Sequence, residues 1–281
     1  MRKAIWFLML SFALVSAQGQ AAQTCGTKEI SAGYSYDYCI QTADRTKTQD
    51  VVYFFHGLGG NAQTWFTQTQ GTQWIEKKWS SQGYKPTIVT ISFGEIWLLV
   101  NNEEFPLITA FRDEMMPFLE SQIGGIGKGR RLLLGQSMGG FNSIQASLQM
   151  PGIFLKVVLM CPAITTVGPF DPPEAIERYI ARTKALRSRV NMMLDISREF
   201  FKTPEDWQNH DPLQLIKKFD PSIKQVYLVS TGTRDEFGFQ EGSAEFVKAA
   251  KTQGVIASWL PVQGGHCVFD RDAVARFIWN Q

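Results

Sequence analysis

Ser137 sits in the run Gly135-Gln136-Ser137-Met138-Gly139, with Gly140 next. A serine hydroxyl attacks a carbonyl carbon well only when a base removes its proton, so such a serine requires a histidine brought in from elsewhere. As a bare Gly-x-Ser-x-Gly string the run would turn up in roughly one random chain in ten of this length, so its flanks must carry the weight. Arg131 to Leu134 reads as a buried strand entering the motif and Gly139 to Met150 as a helix leaving it, which is the strand, turn and helix setting of a nucleophile elbow. The glycines have a steric reason. A Cβ on either side of so tight a turn would strike neighbouring backbone, and strain in the turn holds the hydroxyl outward.

Three histidines compete for the role of base. His266, in Gly264-Gly265-His266-Cys267, follows the strand that ends near Pro261 by five residues, on a loop able to carry the imidazole over Ser137. His56 ends an early strand before Gly57, where bracing the loop is the preferred reading. His210 precedes Asp211-Pro212, and an aspartate capping a helix with proline at its first position explains that local sequence without chemistry. The base in turn needs a group that fixes its tautomer and stabilises the imidazolium. Asp235 fits, in the loop Gly232-Thr233-Arg234-Asp235-Glu236-Phe237 beyond the strand Gln225 to Thr231, with Glu236 as its nearest rival. Ser137, Asp235 and His266 thus occur in the order serine, acid, histidine, each after a separate strand. Two amides complete the set. Met138 at the elbow and Leu58 in His56-Gly57-Leu58-Gly59-Gly60 offer backbone N–H groups to an oxyanion. No Gly-Lys-Ser/Thr follows that glycine run, which argues against a phosphate loop.

The elements needed to position these residues are visible as apolar runs. Strands are expected at Tyr34 to Ile40, Val51 to Phe55, Thr87 to Phe93, Arg131 to Leu134, Lys156 to Cys161, Gln225 to Thr231 and Val255 to Leu260. The later ones are continuously apolar, as in strands buried on both faces, which predicts an α/β fold with a mainly parallel sheet flanked by helices. Helical spacing runs through Leu107, Phe111, Met115, Phe118 and Leu119 and stops at Gly124-Gly125; further helices are expected at Glu241 to Gln253 and Asp270 to Trp279, with Asp270 as N-cap. Residues 165–221 contain no convincing strand but several amphipathic helical patterns. An insertion there predicts a cap over the strand ends, where such sheets bind ligands. Trp97, Phe141 and Trp207 are candidate substrate contacts, with core packing as the competing explanation for each, as for Ile96, Leu98, Leu99, Phe200 and Phe201.

With 281 residues, 44% of them hydrophobic and 19% charged, the chain can bury one large core. Its 28 Lys and Arg oppose 26 Asp and Glu, and two of the bases, Arg2 and Lys3, open an apolar run from Ala4 to Val15. Twelve apolar residues are too few for a bilayer, which needs about 20. This reads as a signal peptide over residues 1–22, cleaved after Ala17 or Ala21, with residues 23–281 as the folded domain and no stable membrane anchor expected. The near-neutral balance speaks against nucleic acid. Export predicts a bridge between Cys25 and Cys39; Cys161 and Cys267 read equally as a second bridge near the site or as two buried thiols. No Cys-x-x-Cys or His-x-x-x-His spacing points to a metal.

Taken together, the motifs around Leu58, Ser137, Asp235 and His266 resemble the putative esterase (esterase D-like) branch of the α/β-hydrolases, over roughly Tyr34 to the C-terminus. The resemblance implies an α/β-hydrolase fold and serine carboxyl-ester hydrolysis with Ser137, Asp235 and His266 as the triad, Leu58 and Met138 as oxyanion donors, and no cofactor. The expectation is therefore a secreted or periplasmic esterase acting on a small-molecule or polysaccharide-linked ester. An acyltransferase or serine peptidase using the same residues, and a non-catalytic exported binding module, are the alternatives.

Overall fold

The structure, a computed structural model, describes residues 23–42, 45–46, 48–68 and 71–280. The expected signal peptide, with Arg2, Lys3, Ala17 and Ala21, lies outside the described residues. One eight-stranded sheet runs β1-β2-β4-β3-β5-β6-β7-β8, from β1 (Gln23–Glu29), β2 (Ser35–Gln41), β3 (Val51–Phe55), β4 (Thr87–Ser92), β5 (Arg131–Gln136), β6 (Lys156–Met160), β7 (Val226–Gly232) and β8 (Ile256–Val262). The pairings β1 with β2 and β2 with β4 are antiparallel, and the others are parallel.

The continuous apolar runs are strands with both faces covered. Along β3, Val51, Tyr53 and Phe55 face one layer while Val52 and Phe54 face the other, and β5 and β6 divide in the same way. Pleat alternation sends neighbouring side chains to opposite faces, so every position must be apolar when both faces are buried. The first layer comes from α3 (Leu107–Ala110), α4 (Met116–Ser121), α5 (Met138–Gln149) and α10 (Phe239–Thr252), with a π-helical segment, Phe111–Met115, joining α3 to α4. The second layer comes from α1 (Thr64–Thr67), α2 (Thr72–Ser81) and α11 (Arg271–Trp279), through Trp65, Ile75, Trp79, Val274 and Ile278. Asp270 caps α11 as expected, its carboxylate accepting from Ala273 N–H at 2.8 Å. No helix of the described residues is long and apolar enough to cross a membrane.

Strand β1 is not among the expected strands, because Gln-Thr-Cys-Gly-Thr-Lys-Glu carries no apolar alternation and lies almost entirely exposed. It is held by its ladder to β2, in which Cys25 lies opposite Cys39, and by the expected disulfide between them. A bridge closing so short a loop contributes about 3 kcal/mol in the chain-entropy model.

Between β6 and β7 the chain forms α6 (Pro173–Thr183), α7 (Arg187–Phe200), α8 (Pro204–His210), α9 (Pro212–Leu215) and a 3-10 turn at Ile216–Lys218. These helices carry a small core of their own around Val167, Tyr179, Val190 and Leu194. The Asp211-Pro212 pair starts α9 as its sequence predicts, with the Asp211 carboxylate accepting from Leu213 N–H at 2.9 Å.

At the amino ends of the central strands Asp50 ties β3 to β5. Its carboxylate accepts from Arg130 N–H at 2.8 Å, from Arg130 Nη2 at 2.5 Å and from the Tyr84 hydroxyl at 2.9 Å. Burial alone would raise this carboxyl, but the hydrogen bonds from Arg130 and Tyr84 outweigh it and hold it below the usual carboxylate range. Removing one partner of a buried charge pair leaves the other uncompensated, so Asp50→Asn is expected to cost about 3 kcal/mol in denaturant unfolding. Because the folded carboxyl is depressed, its contribution is complete above the unfolded-state value near pH ~4 and fades as pH falls through the lower folded value. The variant should therefore show a flatter acid limb of stability than wild type, and equal acid limbs would contradict the assignment.

Candidate active site

The residues singled out in the sequence come together at the carboxyl ends of β3, β5, β7 and β8. Between β5 and α5 the chain turns on Ser137 at φ 55° and ψ −115°, a conformation that a non-glycine residue holds only when its surroundings impose it. The flanking glycines make the turn possible. A Cβ on Gly135 would lie 2.0 Å from the Gly139 carbonyl oxygen, and one on Gly139 would lie 2.0 Å from that of Phe55. Ser137 N–H donates to the Met160 carbonyl at 2.9 Å, and the Ser137 carbonyl accepts from Gly140 N–H at 2.8 Å and Ala163 N–H at 2.9 Å. The elbow is thereby pinned to the end of β6.

Ser137 Oγ lies 2.9 Å from His266 Nε2, and His266 Nδ1 lies 2.7 Å from Asp235 Oδ2. The carboxylate accepts a hydrogen bond from Nδ1–H, which fixes the tautomer that leaves Nε2 as the acceptor facing the serine hydroxyl. Asp235 is buried, at 1% exposure, and its second oxygen accepts from Phe237 N–H at 2.8 Å. The imidazole is flanked by the ring of Phe237 at 4.6 Å and that of Phe239 at 5.5 Å.

Glu236, the rival acid, binds the same histidine by its main chain. Its Oε2 accepts from His266 N–H at 2.5 Å, and this hydrogen bond foremost holds the Glu236 carboxyl below the usual carboxylate range. Two neighbouring acids thus divide the work, one holding the ring and the other the backbone. The β8 side is also laced to the acid loop, with Thr233 N–H on the Val262 carbonyl and Arg234 N–H on that of Gly264, each at 2.8 Å.

Cys267 forms a disulfide with Cys161, the first residue after β6, across 106 residues of sequence. In the chain-entropy model a loop of that length is worth about 4–5 kcal/mol. Cys161, His266 and Cys267 gather three metal-type donor atoms within 4.8 Å. Both sulfurs are consumed by the disulfide, however, and it is the thiolate that ligates metals.

His56 braces the glycine loop, as its sequence context suggests. It is buried; Nδ1–H donates to the Gly57 carbonyl at 2.8 Å, Nε2 accepts from the Ser92 hydroxyl at 2.8 Å, and burial lowers the imidazole's pKa. His210 pairs with the Asp206 carbonyl at 2.8 Å and with Asn101 N–H at 3.0 Å, within the helical insertion and its support. A Cβ on Gly57 would come 3.3 Å from that of Ser137, so the glycine loop lies directly against the elbow. Met138, as the first residue of α5, has no helical acceptor for its N–H, and among the described residues the Leu58 N–H meets no main-chain acceptor either.

Two cavities meet at Ser137. One is an open cleft of about 880 Å³ bordered by His266, Glu236, Asn61, Gln63 and Arg189. The other is a narrow apolar chamber of about 70 Å³ beneath α7, walled by Met138, Phe141, Met193, Trp207 and Phe239. Phe141 and Trp207, two of the candidate substrate contacts, line this chamber. Trp97 does not: at 2% exposure it packs against Phe55 and Phe93 and borders neither cavity, the core-packing alternative for this residue. Sequence reasoning missed Met192 and Met193 of α7, whose only signal was the amphipathic pattern of the insertion. It also missed the main-chain role of Glu236.

A model of the putative esterase family matches residues 35–273 of the chain. Among solved structures, a ferulic acid esterase superposes with a TM-score of 0.60 at 18% identity, covering 92% of this chain and 95% of that one. The S-formylglutathione hydrolase of Agrobacterium tumefaciens gives 0.60 at 14% identity, with 91% of each chain covered. Brefeldin A esterase, described as a bacterial homologue of human hormone-sensitive lipase, gives 0.61 at 15% identity, covering 96% of this chain and 78% of that one. A search of curated protein sequences found no match. At these identities the structural likenesses establish the fold, that of the α/β-hydrolases, and the family match goes further: the chain belongs to the putative esterase family, serine hydrolases acting on ester bonds.

Proposed function

We propose that the chain is an exported carboxylesterase that works through an acyl-enzyme on Ser137. The observation that carries this reading is the run of hydrogen bonds from Ser137 through His266 to Asp235, at 2.9 and 2.7 Å. His266 Nε2 takes the hydroxyl proton as Oγ attacks the ester carbonyl, and Asp235 stabilises the imidazolium so formed. The carbonyl oxygen, now negative, accepts from the N–H groups of Leu58 and Met138. Collapse of the tetrahedral intermediate expels the alcohol, which receives its proton from Nε2. Water, deprotonated by the same nitrogen, then attacks the acyl-enzyme and frees the acid and Ser137. No cofactor enters any step.

The open cleft favours water over a sequestered acceptor alcohol, hence hydrolysis over acyl transfer. Its polar border of Asn61, Gln63, Thr64 and Gln136 suits an ester of a small polar alcohol or a polysaccharide. Helices α6 to α9, within residues 165–221, act as the cap of that site, with Leu186, Arg189 and Met192 facing it. Two disulfides, one of them at the site, accord with an oxidising compartment, as does the leader at residues 1–22, so the enzyme works outside the cytosol.

Ser137→Ala should lower turnover of p-nitrophenyl acetate by about 10⁴-fold or more and abolish labelling by a fluorophosphonate, with the fold retained by circular dichroism. Asp235→Asn should cost on the order of 10⁴ in kcat, whereas Glu236→Gln, which loosens the loop and leaves the relay, should cost about 10²-fold. The reverse ranking would assign the ring partner to Glu236. Reducing the Cys161–Cys267 bridge should lower kcat in the folded protein by slackening the histidine loop, and an unchanged kcat with both thiols titrated would show that the tether is dispensable.

A further inference from the structure

Leu58, Ser137, Met192 and Phe237 border both cavities, so an ester held at Ser137 has one half in each. Chemistry decides which half goes where. The leaving alcohol must lie beside His266 Nε2 to receive its proton, and His266 borders the cleft and not the chamber. Met138, whose N–H the proposed mechanism assigns to the oxyanion, belongs to the chamber wall. The alcohol therefore leaves through the cleft and the acyl group points into the chamber.

The chamber is lined mainly by apolar side chains, and its two threonine and serine hydroxyls other than Ser137 direct their protons to the main chain. The Thr165 hydroxyl donates to the Val167 carbonyl at 2.7 Å and the Ser197 hydroxyl to that of Met193 at 2.9 Å. The chamber is also small. An apolar protein cavity of about 150 Å³ holds a benzene molecule, and this one offers about 70 Å³. A short aliphatic chain matches that volume, and an aromatic acid exceeds it. The roof is formed by Met192 and Met193, and Met192 stands between the chamber and the open cleft. Unbranched and flexible, methionine fills such a space closely, and its loss opens the space.

We propose that the chamber is the acyl subsite, that it selects acyl groups of two to four carbons, and that Met192 and Met193 set this limit. The proposal rests on the esterase reading above. The test is kcat/KM for p-nitrophenyl acetate, butyrate and octanoate with wild type, Met192→Ala and Met193→Ala, each checked for folding by thermal unfolding. Wild type is expected to prefer butyrate over octanoate by at least about 10-fold. At least one variant should gain about 10-fold on octanoate in absolute terms, a gain that misfolding does not produce. A flat chain-length profile in wild type, or two folded variants with no gain on octanoate, would overturn the acyl-subsite assignment and leave the esterase reading standing. Failure of wild type to hydrolyse any of the three esters would overturn the esterase reading and this inference with it.

Discussion

An imidazole rooted at one end of a sheet has to act three strands away. His266 follows β8, Asp235 follows β7 and Ser137 follows β5, with β6 between them. At a strand spacing of about 4.8 Å, the histidine loop spans some ~14 Å of sheet edge to reach the serine. A glycine-rich loop of that kind costs conformational entropy to hold in one place. The structure meets that cost with several ties: the Asp235 carboxylate on the ring, the Glu236 carboxylate on the backbone, backbone bonds from Thr233 and Arg234, and the Cys161–Cys267 bridge to the end of β6. The bridge is anchored on the strand beside the elbow, so the same β6 terminus whose Met160 carbonyl pins Ser137 also tethers the loop that bears its base.

The sheet makes this precision possible because it is rigid on both faces. Val52, Phe54, Leu132, Leu134, Val158 and Met160 fill one layer, and Tyr53, Phe55, Leu133, Val157 and Leu159 fill the other. Close packing of that kind resists displacement. It also confines the exposed chemistry to the strand ends, where loops carry polar groups that the core does not tolerate. The strain at Ser137 belongs to the same arrangement, since a residue at φ 55° persists only when the strand before it and the helix after it are fixed.

Most of this was legible in the sequence because burial writes itself as composition. Seven strands announced themselves as apolar runs, and the structure moves their ends by a residue or two. Strand β1 did not, because it buries almost nothing and is held by its ladder and a disulfide instead of a core. The order of Ser137, Asp235 and His266 was readable because each follows a strand. The geometry brings these three within hydrogen-bond distance of one another in turn, and sets Leu58 and Met138 beside them. Trp97 carried two readings, core and substrate contact, because a tryptophan near a strand end looks the same in sequence whether it packs inward or faces a cleft; it packs inward against Phe55. Whether Cys161 and Cys267 pair, and which acid takes the ring, depends on how loops fold over three strands, and no local pattern records that. The methionines of α7 were hidden for the same reason: a helix pattern shows which residues turn inward and not what they turn towards.

The central claim is that Ser137 carries the acyl group during turnover. It is tested most directly by mixing the enzyme with p-nitrophenyl butyrate, quenching in acid within the first turnovers and mapping adducts by peptide mass spectrometry. The account predicts a single butyryl group on the peptide that contains Ser137, lost when His266 is replaced by alanine. Turnover without that adduct, or an adduct on another residue, would contradict it.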